Sequence, residues 1–199
     1  MIKLNKVSFS YGEKAVLKAL SFTFPDKGIF ALMGESGEGK TTLLRLLCGL
    51  EKPSAGEMVS SHRKVAVSFQ EPRLLPWLDC ENNIKFVLPK EKQGSDIAEK
   101  LLHDFELDGY AKKLPNALSG GMKQRLSLAR ALAVKADLLL LDEPFSALDV
   151  ALKERVAALV KRANPEGLTI IVTHDKKDAE LLGAKVLKLT SVPLSALTE

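Results

Sequence analysis

The sequence predicts an α/β fold, in which a doubly wound, mostly parallel sheet carries an antiparallel β layer at its N-terminal end and an inserted helical subdomain. Three observations lead to this prediction. Short, continuous apolar runs recur along the chain and are typical of strands buried on both faces. Segments with helical periodicity separate these runs, and strands that alternate with helices favour a parallel sheet. Near the N-terminus, by contrast, apolar and polar residues alternate, as they do in half-buried strands.

The alternation over residues 2–9 predicts the first strand, and residues 22–24 repeat it before a Pro-Asp-Lys-Gly turn. The apolar run Ile29–Met33 follows and is expected to be a strand buried on both faces. A glycine-rich loop comes next, and the helix predicted after it ends at Gly49.

The rest of the α/β core is predicted in the same way. Buried-type runs predict strands at 65–67, 138–141, 168–172 and 186–189. Helical patterns predict helices over 119–134, 149–163 and 175–182. Each of these three helices begins with a Ser or Asp that can cap it.

Residues 71–118 differ from the core. They contain two amphipathic helical patterns, at 79–88 and 95–105, together with several prolines and no buried strand. We therefore predict one domain over 1–199, in which 1–70 and 128–199 form the α/β core. Residues 71–127 form the helical subdomain.

Composition excludes several classes of protein. The chain of 199 residues has 46% hydrophobic and 27% charged residues, which is ordinary for a globular domain and argues against disorder. No apolar stretch reaches the roughly 18 residues that a membrane-spanning helix needs. The net charge of +4 neither demands nor excludes nucleic acid, although it supplies no basic stripe for it. A cytoplasmic protein without a nucleic-acid partner is expected.

The segment GESGEGKT, from Gly34 to Thr41, matches the P-loop pattern between a strand and a helix. Its glycines let backbone N–H groups surround a phosphate, and the helix N-terminus adds positive potential. Lys40 is expected to reach the β- and γ-phosphates, and the Thr41 hydroxyl is expected to bind Mg²⁺. The predicted nucleotide-binding residues are Gly34, Glu35, Ser36, Gly37, Glu38, Gly39, Lys40, Thr41 and Thr42.

Two carboxylates follow the apolar run at 138–141. Open α/β sheets bind their ligands at the carboxyl ends of the strands, which is where Asp142 and Glu143 are expected to lie. Asp142 is predicted to hold Mg²⁺, directly or through water. Glu143 is predicted to accept a proton from the attacking water.

The segment Ser119–Gln124 opens a helix with a serine and two glycines, and so forms a second helix N-terminus suited to an anion. One interpretation is an ordinary helix cap. The other is a binding site for a nucleotide held by another subunit, because one nucleotide does not need two such sites.

With these three elements, the chain resembles the ATP-binding cassette (ABC) ATPases over nearly its whole length. The resemblance implies a Walker A loop at 34–41, a Walker B aspartate at Asp142 and a catalytic glutamate at Glu143. It implies that the signature motif, with Ser119, Gly120 and Gly121, contacts the nucleotide of a second copy. It also implies roles for Gln70 as the Q-loop residue that senses Mg²⁺ and the attacking water, Asp149 in the D-loop, His174 as the switch histidine, and Tyr11 stacked on adenine.

Two residues depart from the commonest family pattern. Glu38 stands where the family usually has a small residue, and it brings a carboxylate near the polyphosphate. It either points to solvent or weakens nucleotide binding unless a cation offsets it. Met122 replaces the commonest signature glutamine, which resembles the nitrate, sulfonate and taurine importer branch, as does the segment 70–77. Trp77 fits either a core anchor or a side chain that faces a membrane partner.

The resemblance implies the ATPase subunit of an ABC transporter, most consistent with an importer, that uses ATP and Mg²⁺. The implied partners are a second copy of the chain, integral membrane permease subunits and a separate solute-binding protein. Its place would be the inner face of the cell membrane, held there by the permease. The alternatives are a soluble ABC ATPase of DNA repair or translation, and a small-molecule P-loop kinase, which would lack the 119–124 element and His174.

Overall fold

The computed structural model describes residues 1–35, 37–189 and 191–198. Within these residues the chain forms nine strands and six α-helices. The strands are β1 Ile2–Tyr11, β2 Lys14–Phe24, β3 Gly28–Met33, β4 Ala55–Ser60, β5 Val65–Ser68, β6 Leu138–Asp142, β7 Leu168–Val172, β8 Lys185–Leu189 and β9 Leu197–Thr198. The helices are α1 Lys40–Leu47, α2 Cys80–Lys85, α3 Ile97–Asp104, α4 Gly120–Leu132, α5 Val150–Ala163 and α6 Lys176–Leu182.

The strands form two sheets. The first is antiparallel, with the order β2-β1-β4. The second has the order β5-β6-β7-β3-β8-β9, and its pairs β6–β7, β7–β3 and β3–β8 are parallel, while β9 joins β8 antiparallel. The predicted α/β class, with a mostly parallel sheet and an antiparallel N-terminal layer, is confirmed.

The chain divides into two compact units. The first unit comprises residues 1–67, 136–143 and 164–199, and it carries both sheets and α1. Its core joins apolar side chains of the antiparallel sheet, of α1 and of the parallel sheet, among them Ile2, Phe24, Leu32, Leu43, Leu140 and Ile170. All five residues of β6 and of β7 are buried, which agrees with strands covered on both faces.

The second unit comprises residues 68–135 and 144–163 and is helical. Helix α4 packs against α2, α3 and α5. This unit extends beyond the predicted helical subdomain, because it also includes 128–135 and 144–163. The division into functional domains stays a prediction.

The predicted caps are present. The hydroxyl of Ser119 accepts a hydrogen bond from the Met122 N–H, and the carboxylate of Asp175 accepts one from the Lys177 N–H. Asp149 caps α5 by accepting from the Leu152 N–H.

Strands β4 and β9 were not predicted. In β4 only Met58 is even half-buried, so its sequence has no alternation to detect. In the parts of the chain that the structure describes, no helix is both long and apolar enough to span a membrane.

Candidate functional site

The loop between β3 and α1 carries the P-loop residues. Gly37 and Gly39 have φ angles of 87° and 93°, a conformation that glycine adopts without strain. The Lys40 ammonium donates a hydrogen bond to the Gly34 carbonyl at 2.7 Å and another to the Glu35 carbonyl. Lys40 therefore lies across the loop that precedes it. Of the other predicted residues here, Thr42 is buried in α1, and Ser36 lies outside the described residues.

A hydrogen bond joins this loop to the end of β6. The Thr41 hydroxyl donates to Asp142 Oδ2 at 2.7 Å, although the two residues are 101 positions apart. Asp142 is only 2% exposed. Burial raises the pKa of the Asp142 carboxyl, the charge of Glu143 raises it further, and the Thr41 hydrogen bond opposes the shift.

The next residue, Glu143, pairs with His174. Its Oε1 lies 2.9 Å from His174 Nδ1, and its backbone N–H donates to the Val172 carbonyl at the end of β7. Glu143 has a φ of 50°, an uncommon conformation for a residue with a side chain. The hydrogen bond to Glu143 raises the pKa of His174, whose side chain is 76% exposed. The ends of neighbouring parallel strands thus bring a carboxylate and an imidazole together.

The turn that carries His174 has a support that the sequence did not reveal. The Thr173 hydroxyl donates to Asp178 Oδ2 at 3.1 Å and accepts from the Asp175 N–H, and both Thr173 and Asp178 are buried. A sequence signal was available, since Asp178 is the acidic residue in the first turn of α6.

Tyr11 ends β1 and is 42% exposed. Its ring meets Phe9 edge-on at 4.8 Å, and its hydroxyl accepts a hydrogen bond from Arg45 of α1 at 3.1 Å. Sequence reasoning missed Arg45. An exposed aromatic ring fixed on two sides is suited to stack on a planar base.

Glu38 does not point freely to solvent. The residue is half-buried, and its Oε2 is buried without a hydrogen-bond partner among the described residues. This oxygen lies against Gly34, where a Cβ would come within 2.0 Å of it.

The remaining predicted residues belong to the helical unit. Gln70 is exposed in the bend that directly follows β5. Ser119 and Gly120 are exposed at the start of α4, and a Cβ on Gly121 would touch Ala147 at 3.6 Å. Asp149 caps α5. Trp77 is 72% exposed, so its interpretation as a core anchor is wrong.

Comparison with known proteins gives a consistent result. The family model described as ABC transporter matches residues 17–146. The aliphatic sulfonates import ATP-binding protein SsuB of Granulibacter bethesdensis is 43% identical, over 95% of this chain and 79% of its own length. The sulfate/thiosulfate import ATP-binding protein CysA of Synechocystis is 35% identical, over 96% of this chain and 58% of its own length.

Solved structures agree. A dimeric post-hydrolysis state of the ATP-binding cassette MJ0796 with ADP and Pi superposes with a TM-score of 0.85 at 27% identity, covering 100% of this chain and 97% of that one. A second dimeric structure of MJ0796 gives 0.86 at 28% identity with the same coverage.

A P-loop in the strand-to-helix position, with an acidic strand end hydrogen-bonded to it, is the nucleotide-binding arrangement of the P-loop proteins. The chain belongs to the ABC transporter family. It is an ATP-binding and ATP-hydrolysing protein, and a DNA-repair or translation ATPase is not favoured.

Proposed function

We propose that this chain is the ATPase subunit of an importer, in which ATP joins two copies and hydrolysis releases them. Separate membrane subunits turn this cycle into transport. The observation that carries the proposal is the hydrogen bond from Thr41 to the buried Asp142, because it joins a P-loop helix to a carboxylate at a strand end. Such a pair provides a phosphate site and a cation site side by side.

Phosphate binding is assigned to the loop 34–42. Its backbone N–H groups and the N-terminus of α1 provide partial positive charge. Lys40, which donates to two carbonyls of the same loop, has donors that can be redirected to the β- and γ-phosphates. Tyr11, supported by Arg45 and Phe9, is the proposed platform for adenine.

The residues present fit Mg²⁺. Asp142 is buried, and burial raises the pKa of its carboxyl, so a bound cation would stabilise the anionic form. No group of three His, Cys, Asp or Glu residues suited to a metal occurs in the described ranges. Thr41 and Asp142, together with Gln70 as the family resemblance implies, would hold the ion with phosphate oxygens and water, as Mg²⁺ commonly binds. When bound, the ion neutralises charge that develops on the phosphates.

Proton transfer is assigned to Glu143, with His174 and Gln70 as its partners. The 2.9 Å contact with His174 orients the Glu143 carboxylate. A carboxylate held in this way can accept the proton of an attacking water. Gln70 has a side-chain amide that can both donate to and accept from that water.

The residues of the helical unit are assigned to the nucleotide of a second copy. Ser119, Gly120 and Gly121 open α4, whose N-terminus favours an anion. Asp149 begins α5 and is assigned to the same contact. The exposure of Ser119 and Gly120 leaves these groups accessible to a partner. The dimeric state of the related MJ0796 cassettes supports this assignment.

Membrane permease subunits are the proposed partners of the helical subdomain, residues 71–127. Trp77 and Phe86 are 72% and 64% exposed, which leaves two large apolar side chains available for a contact. We place the chain in the cytoplasm, held at the inner face of the membrane by these subunits, with a separate solute-binding protein in the same system. The names of the import relatives support sulfonates or related anions as the transported class.

The test is Glu143→Gln, which keeps the shape of the side chain but cannot act as a base. General-base loss lowers turnover by about 10²–10⁴-fold. Lys40 and Asp142 remain, so Mg-ATP should still bind. We expect the variant to elute as a dimer from size-exclusion chromatography with ATP and as a monomer with ADP.

Glu154→Gln is the matched control, since Glu154 is exposed on α5. It should hydrolyse ATP at the parent rate and form no stable dimer. If Glu143→Gln binds ATP but remains monomeric, the shared-site mechanism is wrong for the isolated chain.

A further inference from the structure

Glu38 is the residue of the nucleotide loop that the proposed function leaves unexplained. It stands between Gly37 and Gly39, both with positive φ, so the backbone on each side of it is set by glycine. Its Oε2 is buried and has no hydrogen-bond partner in the ranges that the structure describes. Buried polar atoms are nearly always hydrogen-bonded, and an exception requires an explanation.

The carboxylate lies in a defined place. A Cβ built on Gly34 would lie 2.0 Å from Glu38 Oε2 and 3.2 Å from both Glu38 Cδ and Leu189 Cβ. The Glu38 side chain thus folds back over the first residue of the loop and fills the space that the absence of a side chain at position 34 leaves open. The apolar Leu189, the last residue of β8, borders the same space.

In the described part of the chain, no cation is paired with the Glu38 carboxylate. Among the described residues, Glu38 forms no ion pair, and Lys40 directs its ammonium to the carbonyls of Gly34 and Glu35. Lys40 is also the one cation in the loop sequence GESGEGKTT. When Lys40 contacts phosphate, the negative charge of Glu38 remains in the loop.

The negative charge of Glu38 has two energetic consequences, one for the stability of the chain and one for ligand binding. A charged oxygen that is buried without a donor is costly in the nucleotide-free chain. A carboxylate in a loop that surrounds a polyphosphate also repels the ligand, and this repulsion grows with the charge of the ligand. Removing this charge should therefore stabilise the nucleotide-free chain and tighten the binding of the polyphosphate.

We propose that Glu38 is an affinity-determining residue, whose carboxylate keeps the binding of nucleoside triphosphates weak and penalises ATP more than ADP. The proposal rests on the proposed role of the loop 34–42 in nucleotide binding. A nucleotide loop with this built-in repulsion binds ATP firmly only when further contacts, such as those of a second copy, complete the site. Glu38 thereby makes ATP retention depend on assembly.

The experiment uses Glu38→Gln in the full chain, because glutamine keeps the size and removes the charge. Binding of Mg-ATP and of Mg-ADP is measured by titration calorimetry, and thermal unfolding is followed without nucleotide. We expect ATP to bind about tenfold more tightly, as for unit charges roughly 10 Å apart at an effective dielectric constant of about 20. The gain for ADP should be smaller, and the melting temperature without nucleotide should rise.

Glu57→Gln, an exposed carboxylate on β4, is the matched control for a change in net charge and should leave both affinities unchanged. Glu38→Ser provides a second neutral side chain and should also tighten ATP binding. Glu38→Gln that binds ATP as weakly as the parent, or more weakly, overturns the proposal even if its melting temperature rises. If the parent chain itself does not bind ATP, the proposed function fails together with this inference.

Discussion

The two units of the chain present their predicted nucleotide residues differently. In the sheet-containing unit these residues bond to one another: Thr41 to Asp142, Glu143 to His174, and Lys40 to its own loop. In the helical unit, two of the predicted residues serve as helix caps, and Gln70 is exposed in a bend. Ser119 caps α4 and Asp149 caps α5, and each accepts a backbone N–H three residues further along.

The two arrangements suit different parts of a nucleotide site. Parallel strand ends place side chains from distant parts of the sequence within hydrogen-bonding distance, so the sheet-containing unit assembles its half within one chain. A helix N-terminus instead offers unpaired N–H groups and an exposed glycine, which a ligand from outside can use. Variants that disturb one unit or the other separate these two contributions.

The largest effect is expected from Lys40→Ala. Lys40 is the one side-chain cation that the loop 34–42 offers to the phosphates. Loss of such a contact should lower the turnover number on the order of 10³-fold and weaken ATP binding strongly. Steady-state hydrolysis and a nucleotide-binding titration measure both effects. Lys52→Ala, an exposed lysine outside the loop, should hydrolyse ATP at the parent rate. Parent-like turnover of Lys40→Ala would refute the P-loop assignment.

A large effect on stability is expected from Asn83→Ala in the helical unit. Asn83 is fully buried, and its amide donates to the carbonyls of Leu75, Leu78 and Asp79. Its oxygen accepts from Leu75 N–H and from Arg130. Truncation leaves these groups unsatisfied and should cost about 2–4 kcal/mol in the free energy of unfolding.

Denaturant unfolding of Asn83→Ala checks this prediction, with Asn82→Ala as its neighbour control. Asn82 is exposed and bonds to the Asp79 side chain, so its loss should cost less than about 0.5 kcal/mol. Equal stability of the two variants would show that the buried hydrogen bonds of Asn83 do not hold the 75–79 segment.

The smallest expected effect is a pH dependence of the free energy of unfolding, which arises from the Glu143–His174 pair. The pKa of His174 is raised by Glu143, so the pair stabilises the fold fully below the unfolded pKa of His and loses this effect as pH rises through the folded pKa. Because His174 is exposed, the contribution should stay below about 1 kcal/mol.

Glu143→Gln should therefore destabilise the chain more at pH 6 than at pH 9. An NMR titration of the His174 imidazole should give a pKa in Glu143→Gln that is lower than in the parent. An unchanged titration would mean that Glu143 does not set the charge of His174.

Much of the fold followed from local patterns. The apolar runs that became β6 and β7 are buried along their whole length, and Ser119, Asp149 and Asp175 cap helices as predicted. Strand β4 was not predicted because it pairs with β1 through its backbone, while all of its residues except the half-buried Met58 are exposed. Backbone pairing of this kind leaves no periodic signal in the sequence.

For the candidate site, the sequence predicts the residues but not all of the contacts that support them. The P-loop spacing identified Lys40 and Thr41, since a local pattern defines that loop. The contact of Arg45 with Tyr11 depends on side-chain geometry that no motif encodes. The contact of Thr173 with Asp178 was missed, although an acidic residue in the first turn of α6 is a signal that the sequence contains. Glu38 was recognised as unusual, but whether its carboxylate faced solvent or the loop depended on the packing of Gly34 and Leu189.

The central claim is that each nucleotide lies between the sheet-containing unit of one copy and the helical unit of another. The most direct measurement mixes two variants, both in the Glu143→Gln background. Lys40→Ala has a defective P-loop and an intact N-terminus of α4. Gly121→Asp has an intact P-loop and a defective N-terminus of α4. A Cβ on Gly121 meets Ala147 at an ordinary 3.6 Å, so this variant should fold. We expect each alone to remain monomeric with ATP, and the mixture to form a heterodimer with one intact site in sedimentation velocity. Dimers of either variant alone, or a mixture that stays monomeric while the Gly121→Asp chain binds ATP, would contradict the account.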